Sequence, residues 1–234
     1  MKNVAIIQGR MTSSRLPGKI LADIEGTPEL LHVVRRARAS EAFGEVVVAT
    51  STDPTDDPVE AFCTEKKIPC FRGSLDDVLD RYAKAAAAYE ADIITRLTAD
   101  CPLLDPAVIK RVVEEFKTGK YDYVTNSLER TFPKGLDAEV FSRAVLEKAA
   151  AEARKPDERE HVTPYMHDPK LFRIGHVTQT QNRGSLRWTV DYPEDLAFVR
   201  AVFKELGNRI FGQDEILALL ERHPEIGKIN AHIS

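Results

Sequence analysis

A three-layer α/β/α fold around a mostly parallel central sheet is predicted by three observations in this 234-residue chain. Strand-like and helix-like patterns alternate through the first half with short connections, as repeated β-α-β units do. The first strand-like runs are apolar almost throughout, as strands covered on both faces are. The first of them leads into a stretch dense in small and basic residues, at the place where open α/β sheets bind their ligands.

Taken in order, residues 4–7 (Val-Ala-Ile-Ile) read as a buried strand, followed by a helical pattern over 28–39 that opens on Pro28. A strand over 45–50, a helix over 59–67 and a short strand over 69–72 come next. The helix predicted over 77–90 places Val78, Leu79, Tyr82, Ala85, Ala86 and Tyr89 near one face. A strand over 92–97, a helix over 106–117 and a strand over 121–126 close this half. Beyond it the pattern is less regular. Residues 128–136 read as a loop, 143–153 and 158–166 as helices, 171–177 and 186–190 as strands, and 193–206 and 214–222 as helices. No repeat, low-complexity tract or long linker interrupts the chain, so one domain over 1–234 is expected.

Composition narrows the function classes. A net charge of -4 exerts no whole-chain pull toward nucleic acid or a membrane surface, so the cations near the N-terminus are a local feature. No segment approaches the roughly 20 apolar residues of a membrane span. The N-terminus enters a strand without a leader pattern, which makes the cytoplasm the expected location. Cys63, Cys70 and Cys101 lack paired spacing, so neither a disulfide framework nor a zinc site is expected, and all three read as inert thiols.

The stretch after the first strand is Gln8-Gly9-Arg10-Met11-Thr12-Ser13-Ser14-Arg15-Leu16-Pro17-Gly18-Lys19. Its small residues let backbone N–H groups close on an anion, and Arg10, Arg15 and Lys19 supply charge-assisted donors. The ligand implied is a polyphosphate. The P-loop pattern is excluded, because Ser13 stands where it needs glycine and Ile20 where it needs a hydroxyl; the dinucleotide G-x-G-x-x-G is absent too. The stretch resembles the signature loop of the cytidylyltransferases that activate sugar acids, such as the CMP-KDO and CMP-sialic acid synthetases. It is most similar to the spore-coat-polysaccharide, SpsF-like branch, whose loop reads roughly I-I-Q-A-R-M-x-S-x-R-L-P-G-K. Gly9 departs from that pattern, where alanine is usual, and the exchange keeps the residue small.

A second stretch, Arg96-Leu97-Thr98-Ala99-Asp100-Cys101-Pro102-Leu103-Leu104-Asp105-Pro106, sits at a strand end. Asp105 before Pro106 reads as a helix N-cap. Asp100 has no such role and resembles the family's Mg²⁺-binding aspartate, often preceded by glycine where Ala99 stands here. In a third stretch, Arg187 to Leu196, Asp191 resembles the second metal carboxylate of a T-x-D-x-P-E-D-L pattern; the alternative is an aspartate favouring a helix dipole. Two carboxylates suit Mg²⁺, which takes one or two of them together with phosphate oxygens and water. In the run from Phe71 to Tyr82, Arg72, Gly73 and Ser74 are candidates for nucleobase or ribose contact, or simply a turn with a helix cap.

The resemblance implies a nucleotidyltransferase fold (GT-A-like, Rossmann-like). About 1–127 would bind the nucleotide, and about 128–234 would form an acceptor and dimerising extension. It implies Gln8, Gly9, Arg10, Ser13, Arg15, Lys19, Arg96 and Thr98 around CTP. Asn126, Lys134, Asp137, Glu139, Glu160 and His161 would lie on the side of a small anionic acceptor, in a homodimer. The implied reaction is Mg²⁺-dependent transfer of CMP to a sugar acid with release of pyrophosphate, a phosphonate or sugar phosphate being the alternative acceptors. Two other classes remain open. A GT-A glycosyltransferase would want an Asp-x-Asp motif, where Thr98-Ala99-Asp100 offers one carboxylate. A non-catalytic nucleotide-binding regulator would have no need of Asp100 and Asp191 together.

Overall fold

The computed structural model describes residues 1–233. Strand β1 (Asn3–Gln8) leads through the basic loop and a 3-10 turn (Lys19–Leu21) into a small hairpin, β2 (Asp23–Ile24) and β3 (Thr27–Pro28), and then α1 (Glu29–Ala39). β4 (Glu45–Ser51), α2 (Asp57–Glu65), β5 (Cys70–Gly73), α3 (Val78–Ala88), β6 (Ile93–Thr98), α4 (Pro106–Lys117) and β7 (Tyr123–Thr125) follow. The second half supplies β8 (Glu139–Ser142), α5 (Arg143–Glu152), α6 (Pro156–His161), β9 (Ile174–His176), α7 (Pro193–Leu206), α8 (Gln213–Arg222) and α9 (Pro224–Gly227).

Seven strands form one sheet in the order β5-β4-β1-β6-β8-β7-β9. All neighbours are parallel except β8, which runs antiparallel to both β6 and β7. The predicted mixed α/β fold with a mostly parallel sheet is therefore the observed one. β1 lies in the middle, and Val4, Ala5, Ile6 and Ile7 have no exposed surface. The two-residue period of a strand sends them alternately to opposite faces. Ala5 and Ile7 join a core with α1, α4, α7 and α8, whereas Val4 and Ile6 join one with α3 and α5. Asp105 caps α4 as expected, accepting from the Ala107 N–H at 2.8 Å. Cys63 and Cys101 are buried and Cys70 partly so, all as free thiols.

Besides the small β2–β3 hairpin and α9, which were not expected, three further elements depart from the expected ones. β8 was not expected, because it is only four residues long and opens on a charged glutamate; pairing with β6 and β7 makes it a strand. The helix expected over 158–166 ends at His161, and a 3-10 turn (Pro164–His167) replaces its second half. Val162 turns into the left-handed region at φ 70°, which breaks the helix there, and Pro164 then opens the 3-10 turn at a position that needs no N–H donor. The strand expected over 186–190 is an extended segment with a single bridge, Lys134 to Arg187. It is held at both ends, by Lys134 N–H donating to the Leu186 carbonyl (2.9 Å) and by Val190 N–H donating to the Asp100 carbonyl (2.8 Å). That second tether positions the site.

Candidate active site

A cavity of about 420 Å³ opens at the carboxyl edge of the sheet, over the ends of β1 and β6. Gln8, Gly9, Arg10, Ser13, Ser14, Arg15 and Lys19 line it from the loop, and Arg96, Thr98, Ala99 and Asp100 from β6. Asp191 comes from the extended segment, Val78 and Arg81 from α3, and Glu160 and His161 from α6.

The loop folds back on itself and is pinned from outside. Gly18 N–H donates to the Met11 carbonyl at 2.8 Å, with Gly18 at φ 74°, a left-handed geometry that glycine adopts without strain. Met11 N–H donates to the carboxylate of Asp56, which is fully buried and also accepts from Ser51 N–H and Ser51 Oγ. Asp56 thus ties the loop to the end of β4. Nothing in the sequence marks this role, since an aspartate between Thr55 and Asp57 reads as a solvated turn.

At the centre, Lys19 Nζ donates to Asp191 Oδ1 (2.9 Å), Asp100 Oδ2 (3.1 Å) and the Val190 carbonyl (2.5 Å). An ammonium has three donors, and here each has an acceptor. Asp191 also pairs with Arg15 and Arg187, both at 2.9 Å. Burial works to raise the Asp191 pKa, but the hydrogen bond and charge of Lys19, with Arg187 and Arg15, outweigh it and bring it down to about 2. Burial likewise opposes the Lys19 charge, and the Asp100 and Asp191 carboxylates overcome it and raise its pKa. Arg187 is held in turn by Asp195, which has no exposed surface and also accepts from Asn230 Nδ2 and the Asp191 and Tyr192 N–H groups. Asp195 and Asn230 therefore position Asp191. The Pro193-Glu194-Asp195 helix start was the only signal of this in the sequence.

The remaining expected residues divide. Gln8 lines the cavity and accepts from Arg96 Nε at 3.0 Å, while Thr98 Oγ1 lies 3.2 Å from Cys101 Sγ. Arg72 is not brought to the cavity: it binds Glu60, Asp57 and the Ser51 and Asp53 carbonyls beside α2. Gly73 and Ser74 also stay off its wall, but both pack under Arg81, which does line it. A Cβ on Gly73 would stand 2.9 Å from Arg81 Cγ, and the Ser74 carbonyl accepts from Arg81 Nη1 at 3.1 Å. Of the six acceptor-side candidates, Glu160 and His161 line the cavity, with Glu160 3.5 Å from Arg10. The other four are engaged elsewhere. Asn126 staples the 127–138 excursion through the Leu136 carbonyl and Ala138 N–H, and Asp137 is gripped by both Nη atoms of Arg130. Lys134 bridges to the extended segment through its backbone with its side chain exposed. Glu139 is buried against Arg96, Tyr123 and Thr163, so its charge serves the sheet interior.

Glu29, at the start of α1, was absent from the expectations. Both of its carboxylate oxygens are buried without a hydrogen-bond partner. Burial, then the nearby Asp100, push its pKa well above the ordinary 4.5, against the pull of Lys19. Glu29 thus holds its proton more tightly folded than unfolded. The stability it contributes is complete below about pH 4.5 and is lost as pH rises through the folded pKa. Glu29→Gln, which mimics the protonated form, is expected to flatten this decline and to be more stable than the parent at alkaline pH. Urea unfolding across a pH series measures it, and an unchanged pH slope would refute it.

A sequence profile for the family described as cytidylyltransferase matches residues 4–218. The chain is a cytidylyltransferase-family member. The spore coat polysaccharide biosynthesis protein SpsF of Bacillus subtilis is 34% identical over 94% of this chain and 94% of its own. The structure of a cytidylyltransferase from Leptospira borgpetersenii superposes with a TM-score of 0.92 at 33% identity, covering 97% of this chain and 96% of that one. A CMP:2-keto-3-deoxy-manno-octonic acid synthetase complexed with CTP superposes at 0.67 over 88% of this chain and 100% of its own. At 22% identity that last likeness shows the fold alone. This cytidylyltransferase-family chain is accordingly a nucleotidyltransferase. Among its described residues no helix is long and apolar enough to cross a membrane.

Proposed function

We propose that this enzyme transfers CMP from CTP to a small anionic acceptor, a sugar acid in the first instance, with release of pyrophosphate. The observation that carries the reading is the convergence of Asp100 and Asp191 on one cation beside a loop of small and basic residues. CTP is supported by family membership and by the CTP-bound synthetase that shares the fold. In this reading the acceptor oxygen attacks the α-phosphorus, the bond to the pyrophosphate oxygen breaks in line, and no covalent enzyme intermediate forms. Such a reaction asks the protein mainly for positioning and charge neutralisation. Arg10, Arg15 and Lys19 hold the β- and γ-phosphates and stabilise the departing pyrophosphate, and backbone N–H groups of the loop close on the same oxygens.

Mg²⁺ fits the donor set. Among the described residues no group of three or more His, Cys, Asp and Glu side chains is placed to hold a metal, whereas Mg²⁺ needs only one or two carboxylates. Asp100 and Asp191 would hold it, their oxygens already sharing one ammonium. When bound, the ion would supply charge neutralisation at the α-phosphate. Each loop cation now paired with a carboxylate is free to turn to phosphate once those carboxylates are otherwise engaged. We further propose that residues 1–234 act as one catalytic unit, a cytoplasmic homodimer serving surface polysaccharide synthesis.

Pyrophosphate release with Mg²⁺, across the four nucleoside triphosphates and a panel of sugar acids, sugar phosphates and phosphonates, tests the reaction. Release that depends on CTP and on one acceptor class is expected. Nucleoside diphosphate released from a nucleotide-sugar, with no pyrophosphate from any pair, would replace this reading by glycosyl transfer.

A further inference from the structure

The part of the cavity wall that carries Glu160 and His161 ends in a strained turn. Helix α6 stops at His161, and Val162 follows at φ 70° and ψ -54°, with the Thr163 N–H donating back to the His161 carbonyl at 2.8 Å. That is a γ-turn of positive φ, a rare and strained form, and its central residue is β-branched. A chain keeps such a conformation only where its surroundings enforce it. Here they do so from the sheet interior. Val162 is buried in the same core as Val4, Ile6 and Met166. Thr163 Oγ1 donates to Glu139 Oε1 at 2.8 Å, and the Thr163 carbonyl accepts from the Met166 N–H at 2.7 Å within the 3-10 turn Pro164–His167. At the far end of that turn, His167 Nε2 lies 3.2 Å from the Tyr123 hydroxyl oxygen. The one proton of that hydroxyl goes to Glu139 Oε1 (2.5 Å), so His167 Nε2 is the donor to the tyrosine. One carboxylate thus clamps the turn at both ends. Its other oxygen pairs with Arg96, whose Nε holds Gln8 at 3.0 Å in the cavity lining.

We infer that Glu139 and Thr163 are positioning residues, which aim the last turn of α6, and with it Glu160 and His161, at the acceptor. The inference rests on the cytidylyl-transfer reading above, in which that wall faces the acceptor. The other restraints on α6 act elsewhere along it. Glu158 accepts from the Arg154 and Lys155 N–H groups, both at 3.1 Å, and fixes the start of the helix. Arg159 reaches away to Asp77 and to the Ala150 carbonyl (2.7 Å). Glu160 meets Arg10 at 3.5 Å, but both side chains are exposed, where an ion pair contributes little. His161 meets only Asp157 of its own helix, at 3.5 Å, among the described residues. The tie from Thr163 to Glu139 is therefore what anchors the end of α6 to the sheet. Arg15 and Lys19 are held independently of it, by Asp191 and Asp100, and cutting the Thr163 tie leaves Arg96 paired with Glu139. Loosening the turn thus reaches the acceptor wall and spares the triphosphate's.

Thr163→Val removes the hydroxyl at nearly constant volume, and Thr163→Ser keeps it. The full chain and both variants are assayed for pyrophosphate release with Mg²⁺, CTP and 3-deoxy-manno-octulosonate as the sugar-acid probe. Amide hydrogen exchange over 158–163 is followed without ligand. Thr163→Val is expected to raise the KM for the sugar acid by about tenfold, the cost of a hydrogen bond to a charged group, with the KM for CTP within about threefold of the parent. Exchange over 158–163 should quicken, and Thr163→Ser should return both readouts to near the parent. Tyr123→Phe, which cuts the clamp at its other end, should move them in the same direction, and it decides the matter if Thr163→Val does not fold. Three results would overturn the assignment: a KM for CTP that rises as much as that for the sugar acid, exchange that stays at the parent rate, or Thr163→Ser behaving like Thr163→Val. No release by the parent with this sugar acid would instead count against the sugar-acid reading, and the exchange rates of the variants would still judge the positioning.

Discussion

Replacing Lys19 with alanine is expected to slow CTP-dependent pyrophosphate release by a hundredfold or more. Removing one preorganised donor from a site of developing charge costs about 3–4 kcal/mol of transition-state stabilisation. In the proposed reaction Lys19 serves as such a donor once its carboxylate partners are otherwise engaged: it is nearly buried, held in place by Asp100, Asp191 and the Val190 carbonyl. Its loss leaves Asp191 with Arg15 and Arg187, so the carboxylate stays compensated and the fold is expected to survive. Asp100 loses its only ion-pair partner among the described residues but is partly exposed. The effect should therefore appear in kcat with near-parent circular dichroism and thermal midpoint. A folded Lys19→Ala enzyme within tenfold of the parent would show that the cation between the two carboxylates is structural.

The second large effect concerns a pair of residues that look like independent, harmless departures from the family pattern. Gly9 stands where that pattern has alanine, and Ala99 where it often has glycine. A Cβ on Gly9 would lie 2.7 Å from the Ala99 Cβ and 3.2 Å from Ile20 Cδ1. Real Cβ atoms do not approach to 2.7 Å, so the two positions share room for one methyl group. Gly9→Ala alone is expected to destabilise the protein by about 1–3 kcal/mol, the usual range for overpacking, and to weaken CTP binding by shifting the loop. Ala99→Gly should restore both, giving a coupling energy of about 1 kcal/mol or more in a double-mutant cycle. Urea midpoints and CTP affinities of the four proteins measure it. Additive effects would mean that the loop accommodates the methyl group by another route.

The parallel half of the fold was legible because each of its elements carries a local signal. Residues 4–7 and 46–49 are apolar runs, and 92–97 is a short β-branched stretch, each between helical periods, which is enough to mark a buried parallel strand. The loop was legible because its chemistry is contiguous. What escaped depends on partners far along the chain. β8 is a strand because β6 and β7 flank it, and Glu139 looked like a ligand because its three interior partners come from other elements. Arg72 and Arg81 lie nine positions apart in one quoted run, and only the packing of α3 shows that the second faces the cavity while the first faces α2. Asp195 falls within the quoted T-x-D-x-P-E-D-L pattern but shows no partner there, and Asn230 carries no motif at all; their role follows from Arg187, and that of Arg187 from Asp191.

The tether between Val190 N–H and the Asp100 carbonyl, with Lys19 reaching residues 190 and 191, has a consequence for how the protein comes into being. A chain still on the ribosome can pair β1, β4 and β6 and close its basic loop well before the segment that carries Asp191 has been made. At about 5–20 residues per second, the last hundred residues take on the order of ten seconds. Throughout that interval Lys19 has one of its two carboxylates and none of the covering segment. On the role proposed for Asp191, nascent chains and fragments cut short of it are expected to be inactive, competence arriving late, when the segment that carries Asp191 docks against the ends of β1 and β6.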